Sequence, residues 1–273
     1  MLKKLIHHEF IATGRIFLPL YGAFLIMSVL LRVYMEIQNA WSFELPGWLG
    51  VIGAVPIILY VLLFIAVLAA TVVVAIQRFY KNLMTEEGYL MFTLPVKVHQ
   101  LINSKLLVAV IWSIASGLVC VASIFILVAT PDTFITIGHW WKIIYLSAAD
   151  QGLYLTGWLA FELLISLFVG VVGSFIMIYA AIAATNFNSN HKLLMGIGAY
   201  VAISIVLQTV SSIVMTVLGM TFSQTLADML LDSRNYMGFL DMTLWVSTIM
   251  SIITSILLYL GTHWVLKHKL NLN

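Results

Sequence analysis

Six long stretches without a charged side chain alternate with short polar segments along the chain of 273 residues. A helix needs about 20 apolar residues to cross the hydrocarbon core of a bilayer. Five stretches are long enough outright, and the first crosses if Arg15 and Arg32 extend their side chains towards the interfaces. The pattern therefore predicts an all-α polytopic membrane protein with six transmembrane helices. The predicted spans are 16–36, 49–77, 103–129, 157–184, 193–219 and 242–266.

The composition agrees with a chain that lies mostly in lipid. Hydrophobic residues make up 62% of the sequence and charged residues only 9%. Because about a quarter of the residues in a soluble protein are charged, a soluble domain with one anchor is excluded. The net charge of +2 is too small to indicate nucleic acid as a partner. Cys120 lies alone in an apolar stretch, so no disulfide framework or cysteine metal site is expected.

The lysines and arginines are distributed unevenly between the two sides that six spans define. Positive side chains are enriched in the cytoplasmic loops of membrane proteins. With the N-terminus inside, ten of the 13 fall on the cytoplasmic side and only Arg32, Lys142 and Arg234 fall outside. This distribution predicts cytoplasmic N- and C-termini in a single transmembrane domain that covers 1–273.

Three further segments have one apolar face each and are predicted to lie on the membrane without crossing it. They are 1–15, 134–147 and 221–239. The first is predicted to be an in-plane interfacial helix, with Gly14 allowing the chain to turn into the first span. The second carries a pair of tryptophans that suits the outer headgroup region.

The motifs of the common hydrolytic enzymes do not occur in the sequence. It has no GxxxxGK[ST] phosphate-binding loop, no HExxH zinc motif and no Gly-x-Ser-x-Gly turn. We therefore expect that the chain is not an enzyme and binds no metal or cofactor of its own.

Glu162 is the one acidic residue that the predicted spans place below the membrane surface. An ionisable group in lipid is by default a candidate for proton coupling or substrate contact. The alternative is that the fourth helix starts late, so that Glu162 lies in the outer headgroup layer or lines a hydrated gap between helices. The sequence leaves both interpretations open.

The segment 78–104 is predicted to be the largest cytoplasmic loop, and it contains the stretch TEEGYLMFTLP at 85–95. Thr85 can cap a short helix whose first turn holds two glutamates, where the helix dipole favours acids. Gly88 permits close backbone approach, and a bulky apolar patch follows it. Pro95 suits the first turn of the next helix, which Lys97 and Lys105 are predicted to anchor at the inner membrane surface. Such a helix could bind a soluble partner, or it could be an amphipathic connector that rests on lipid.

This loop resembles the first cytoplasmic loop of the ABC type-2 transporter permeases. That family usually shows E-x-G-T, a leucine-rich stretch and a Leu-Pro pair, followed by a helix with Leu and Lys. Here the segment 86–95 is followed by Leu101 and Lys105 at the head of a span. Tyr89 stands where the family usually has Thr. The sequence of this loop is most similar to the variant common in Gram-positive anaerobes. The six predicted spans and the cytoplasmic termini extend the resemblance over nearly the whole chain.

The resemblance implies the permease subunit of an ATP-driven exporter in a bacterial plasma membrane. A separate ATP-binding-cassette ATPase would bind ATP and Mg²⁺, and a second permease subunit, identical or related, would complete the pathway. The residues expected to couple to the ATPase are Glu86, Glu87, Gly88, Tyr89, Phe92, Leu94 and Pro95. Two alternatives remain: an ion-gradient-driven secondary transporter that depends on Glu162, and a membrane scaffold or sensor subunit that docks a cytoplasmic regulator. The substrate is left open.

Overall fold

The computed structural model describes residues 2–41, 47–84, 97–150, 157–187, 192–221 and 236–268. Within these ranges the chain is almost entirely helical. The helices are α1 (Leu2–Trp41), α2 (Gly47–Met84), α3 (Val98–Val128), α4 (Pro131–Asp150), α5 (Gly157–Ala184), α6 (Lys192–Thr221) and α7 (Tyr236–His268). A short 3₁₀ turn, Thr185–Phe187, extends the end of α5.

Six of these helices are long and apolar enough to cross a membrane, which confirms the predicted fold class. The six apolar segments are Lys3–Gln38, Gly53–Met84, Val98–Val128, Trp158–Ala184, Leu194–Met220 and Asp241–His268. Each overlaps one predicted span, and all except Trp158–Ala184 extend beyond it at one end or both. The extensions arise because helices continue through the charged residues at which the hydrophobic stretches stop.

The N-terminal segment differs from the prediction in one respect. It is helical, as expected, but α1 runs without a break from Leu2 to Trp41. The turn predicted at Gly14 is therefore wrong. A Cβ placed at Gly14 would lie 3.5 Å from the ring of Trp112, so the glycine is in contact with α3 instead of opening the helix. The segment 1–15 thus extends the first span instead of lying apart from it in the membrane plane.

The predicted segment 134–147 lies within α4, a helix that is not among the six apolar segments. Its tryptophans Trp140 and Trp141 are 59% and 61% exposed. A separate helix is therefore confirmed here, and its position on the membrane surface stays a prediction. Most of the predicted segment 221–239 lies outside the described residues, and its last part, from Tyr236, begins α7.

The contacts divide the chain into two compact units. The first comprises 1–79 and 100–134, and the second comprises 80–99 and 135–273. The core of the first unit is formed by aromatic and aliphatic side chains of α1, α2 and α3 that are at most 5% exposed: Phe17, Phe24, Val67, Val108 and Trp112. The ring of Trp112 stacks on that of Phe17 with a centroid distance of 4.6 Å.

In the first unit, α1 and α3 run parallel to each other. Glu9 contacts Lys105, Thr13 contacts Trp112, Tyr21 contacts Ser116 and Ser28 contacts Ser123, so both helices advance together. In α2 the order is reversed. Thr71 bonds Ser116, and the earlier residue Tyr60 bonds Ser123, so α2 runs antiparallel to α3.

In the second unit, α5 packs mainly against α7 and less extensively against α6. The two helices α5 and α7 run parallel, since Trp158 contacts Trp245 and Gly173 faces Ser255. Their closest approach is at Gly173, where a Cβ would lie only 2.8 Å from Ser255 Oγ. Gly196 on α6 faces Thr185 in a similar way, at 3.2 Å from its Cγ2. Small residues let the backbones of membrane helices approach closely.

Candidate functional site

The predicted coupling segment lies outside the described residues. All seven of its candidate residues fall within 85–96: Glu86, Glu87, Gly88, Tyr89, Phe92, Leu94 and Pro95. What the structure describes is the pair of helices that hold this segment at its two ends. The helix α2 ends at Met84 and α3 begins at Val98.

Both flanking helix ends are buried. Leu83 and Met84 at the end of α2 are 0% and 3% exposed, and Leu101 and Ile102 in the first turn of α3 are 1% exposed each. The amide of Asn186 also donates to the sulfur of Met84, at 3.2 Å. The end of α2 and the start of α3 are therefore both packed against other parts of the protein.

An ion pair lies near this attachment point. Lys105 Nζ is 2.6 Å from Glu9 Oε1, and the two side chains are 2% and 9% exposed. The sequence predicted Lys105 as an anchor at the inner membrane surface. The structure places it inside the protein instead, because the parallel course of α1 and α3 brings Glu9 opposite to it. The pairing also shows that the N-terminal ends of α1 and α3 lie at the same end of the first unit.

Farther along the same helices, hydroxyl groups form two buried three-residue clusters. Ser116 is 2.6 Å from both Tyr21 and Thr71 through their hydroxyl oxygens. The second cluster has the same form one to two turns later on α3, with Ser123 at its centre and Ser28 and Tyr60 each at 2.8 Å. In each cluster one residue comes from each of α1, α2 and α3.

These clusters were not found from the sequence. Single serines and threonines occur throughout the apolar stretches, and in a membrane helix many of them bond only to their own backbone. Ser204 and Thr209 on α6, for example, each donate to the carbonyl four residues earlier and are exposed. Nothing local separates such residues from Ser116 or Ser123, because their partners lie on other helices.

Glu162 was singled out from the sequence, and the structure buries it. Its side chain is 2% exposed, in the second turn of α5. Neither carboxylate oxygen forms a hydrogen bond with any residue in the described part of the chain. The carboxylate of Asp241, in the first turns of α7, is close enough for the two charges to interact. This burial places the Glu162 side chain inside the protein and does not decide between the two interpretations of its role.

Farther along the same two helices, α5 and α7 form a cleft about 290 Å³ in volume, whose first lining residue on α5 is Phe168. Its lining is almost wholly apolar, with one serine and one tyrosine. The lining residues are Phe168, Val169, Val172, Ile176, Ile252, Ser255, Ile256, Tyr259 and Leu260. Such a concave apolar surface near a few polar groups is the usual form of a small-molecule site.

Comparison with known proteins adds no family to this description. No protein-family model, curated protein or solved structure matches the chain. The chain is thus established as a six-span helical membrane protein by its own helices, and a more specific function is a proposal.

Proposed function

We propose that this chain is the permease subunit of an ATP-driven ABC exporter, coupled to a separate ATPase through the segment 85–96. The supporting observation is the direction of the helices in the first unit. Because α1 and α3 run parallel and α2 runs antiparallel, the end of α2 and the start of α3 lie at the same end as the N-terminus. Most lysines and arginines of the sequence fall on the side of the N-terminus, which we therefore take as the cytoplasmic side. In this proposal the segment faces the cytoplasm, where an ATPase is found.

The buried contacts of the first unit suit it to transmit a movement. The Glu9–Lys105 ion pair connects α1 with α3, and the two hydroxyl clusters connect α1, α2 and α3 at two further levels along their length. Hydrogen-bonded groups in a low-dielectric interior hold their positions strongly, because leaving one unpaired is costly. A displacement of the segment 85–96 would therefore move these helices together instead of bending one of them, as rigid-body transitions require.

A second permease subunit is part of this proposal. The most apolar window of α6 has 0% of its residues buried within the chain, whereas the corresponding window of α1 has 33%. In a dimer, the exposed face of α6 would be covered partly by lipid and partly by the other subunit. If that subunit is a second copy of this chain, one kind of permease accompanies the ATPase. If it is a related chain, two kinds of permease do.

The test is purification of the full chain from its native cells in mild detergent, with identification of every protein that comes with it. We expect a stoichiometric soluble partner that carries GxxxxGK[ST]. Phe92→Ala and Gly88→Trp should each reduce its recovery, because the first removes an aromatic side chain of the apolar patch that follows Gly88 and the second obstructs close backbone approach. His99→Ala is the matched control, since His99 is exposed on α3 just beyond the segment.

Loss of the partner in Phe92→Ala and Gly88→Trp, with normal recovery in His99→Ala, would support the exporter. The variants must elute from gel filtration like the parent protein, so that a folding defect is not mistaken for lost contact. A folded preparation without any such ATPase would contradict the proposal.

The burial of Glu162 specifically favours a second candidate, an ion-gradient-driven transporter. An unpaired carboxylate between two membrane helices is suited to bind and release a proton. This candidate expects substrate flux in vesicles driven by a proton or sodium gradient without nucleotide, and loss of that flux in Glu162→Gln. Full flux in Glu162→Gln would exclude a proton-coupling role for this residue.

A further inference from the structure

The helices α5 and α7 present the same spacing of residues to each other. Five residues of the shared interface on α5 and five on α7 have the same spacing along the sequence, with successive intervals of four, seven, three and four positions. These intervals keep side chains on one helical face. The residues on α5 are Trp158, Glu162, Val169, Val172 and Ile176, and those on α7 are Asp241, Trp245, Ile252, Ser255 and Tyr259.

At the N-terminal end of this interface, each helix contributes one acidic residue and one tryptophan, one turn apart. Trp158 precedes Glu162 on α5, and Asp241 precedes Trp245 on α7. The order is reversed between the helices, so each acid lies at the level of the other helix's tryptophan. The indole rings of Trp158 and Trp245 are in contact, with a centroid distance of 6.3 Å. Phe161 adds a third aromatic ring, 5.8 Å from Trp158.

This group of four side chains has an unmet electrostatic requirement. Two carboxylates close together repel each other when both are ionised, and a buried carboxylate without hydrogen bonds is costly. An ionised Glu162 meets both conditions, since it is 2% exposed, its oxygens have no hydrogen bond of normal geometry within the described residues, and Asp241 is its interacting neighbour. A cation between the two acids would remove the repulsion. A tryptophan one turn from each acid on the same helix adds an aromatic face that can attract a cation as well.

The apolar cleft lies farther along the same two helices and begins at Phe168, about 9 Å beyond Glu162 at 1.5 Å per residue. Val169, Val172 and Ile176 belong both to the stripe on α5 and to the lining of the cleft. Ile176 lies about four turns beyond Glu162, or about 21 Å at 1.5 Å per residue. The interface thus offers an anionic, aromatic end and then a long apolar side, which matches a molecule with a charged head and a hydrocarbon tail.

We propose that α5 and α7 form a binding site for an amphipathic organic cation. Its ammonium group would lie between Glu162 and Asp241, against the faces of Trp158 and Trp245, and its tail would lie in the apolar cleft. As a binding site this does not depend on ATP-driven export. Only its use as the site of the transported substrate rests on the proposed permease function.

The test uses the purified full chain in phosphatidylcholine nanodiscs and radiolabelled dodecyltrimethylammonium as the probe, with empty nanodiscs subtracted. Glu162→Gln and Asp241→Asn should each weaken binding by about tenfold or more, because each removes a desolvated charge partner. Trp245→Leu should weaken it by about threefold to tenfold. Dodecanol, which has the same tail without the charge, should compete poorly.

Two variants serve as matched controls. Glu36→Gln removes an exposed acid that pairs with Arg32 in the other unit, and Trp264→Leu removes an exposed tryptophan near the far end of α7. Both should bind the probe like the parent. Gln and Asn have nearly the shape of the acids they replace. If Glu162→Gln nevertheless fails to elute as a folded protein, Asp241→Asn, at a half-buried position, decides the question alone.

Unchanged affinity in the folded carboxamide variants would overturn the proposal, since Glu162 would then act only as a neutral group of the helix interface. Competition by dodecanol as strong as that of the unlabelled cation would overturn it as well, because the cleft would then bind tails without regard to charge. The assay contains no ATPase. Its result is therefore independent of whether an ATPase is recovered with the chain, and either proposal can fail without the other.

Discussion

The buried ion pair between Glu9 and Lys105 allows a quantitative test of the first unit. The perturbation is Lys105→Met, which keeps the length of the side chain and removes its charge. The lysine side chain is 2% exposed and that of Glu9 is 9% exposed, with 2.6 Å between Nζ and Oε1. The variant thus removes the ammonium group that lies nearest to the buried Glu9 carboxylate in this pair.

The expected cost follows from this burial. Removing one partner of a buried ion pair destabilises a protein by about 3–5 kcal/mol, since the remaining charge is uncompensated. Removing both charges leaves no such group, and replacement of a buried pair by apolar or neutral residues is often nearly neutral. The double variant Glu9→Gln, Lys105→Met should therefore be more stable than Lys105→Met alone, by about 2 kcal/mol or more.

The assay is reversible unfolding of the purified protein in mixed micelles with increasing dodecyl sulfate, followed by circular dichroism. The parent, Lys105→Met, Glu9→Gln and the double variant form a double-mutant cycle. The control is Glu36→Gln, which breaks the exposed pair of Arg32 and Glu36. Because the Glu36 side chain is 56% exposed, this change should cost only about 0–1 kcal/mol.

Two results would refute the reasoning. If Lys105→Met costs no more than Glu36→Gln, the ion pair does not contribute as a buried pair. If the double variant is as unstable as the sum of the single variants, the two side chains stabilise the protein independently and not through their mutual charge.

Two other predictions concern helix packing. Gly173→Leu should cost about 1–3 kcal/mol, because a Cβ at this position already lies 2.8 Å from Ser255 Oγ. A Cβ at Gly170 on the same helix meets nothing within 4 Å, so Gly170→Leu should be tolerated. The same unfolding assay measures both, and equal stability of the two variants would contradict the close approach of α5 and α7. Ser116→Ala removes two side-chain hydrogen bonds at the centre of a buried cluster and should cost about 1–2 kcal/mol. Ser212 is exposed and its hydroxyl group bonds to the backbone of its own helix, so Ser212→Ala should cost less than about 0.5 kcal/mol. If Ser116→Ala is as stable as Ser212→Ala, the cluster contributes nothing to the free energy of unfolding.

Much of the architecture could be predicted from the sequence, because membrane insertion depends on a local property. A stretch of about 20 residues without charge crosses the bilayer whatever its neighbours are. For this reason the six spans were predicted correctly, and Glu162 stood out as an acid inside one of them. The segment 85–96 stood out in the same way, as a polar interruption between two spans, and its coupling role stays a prediction.

The contacts between helices could not be predicted, because they depend on partners far away in the sequence. Glu9 finds Lys105, and Glu162 interacts with Asp241, across separations of many tens of residues. The sequence placed Lys105 at the membrane surface and a turn at Gly14, since nothing local shows that α1 and α3 lie side by side there. Length and hydropathy along the chain thus determined how many helices cross the membrane. Their direction, rotation and register, which only tertiary packing decides, determined which polar groups are buried together and where a ligand could bind.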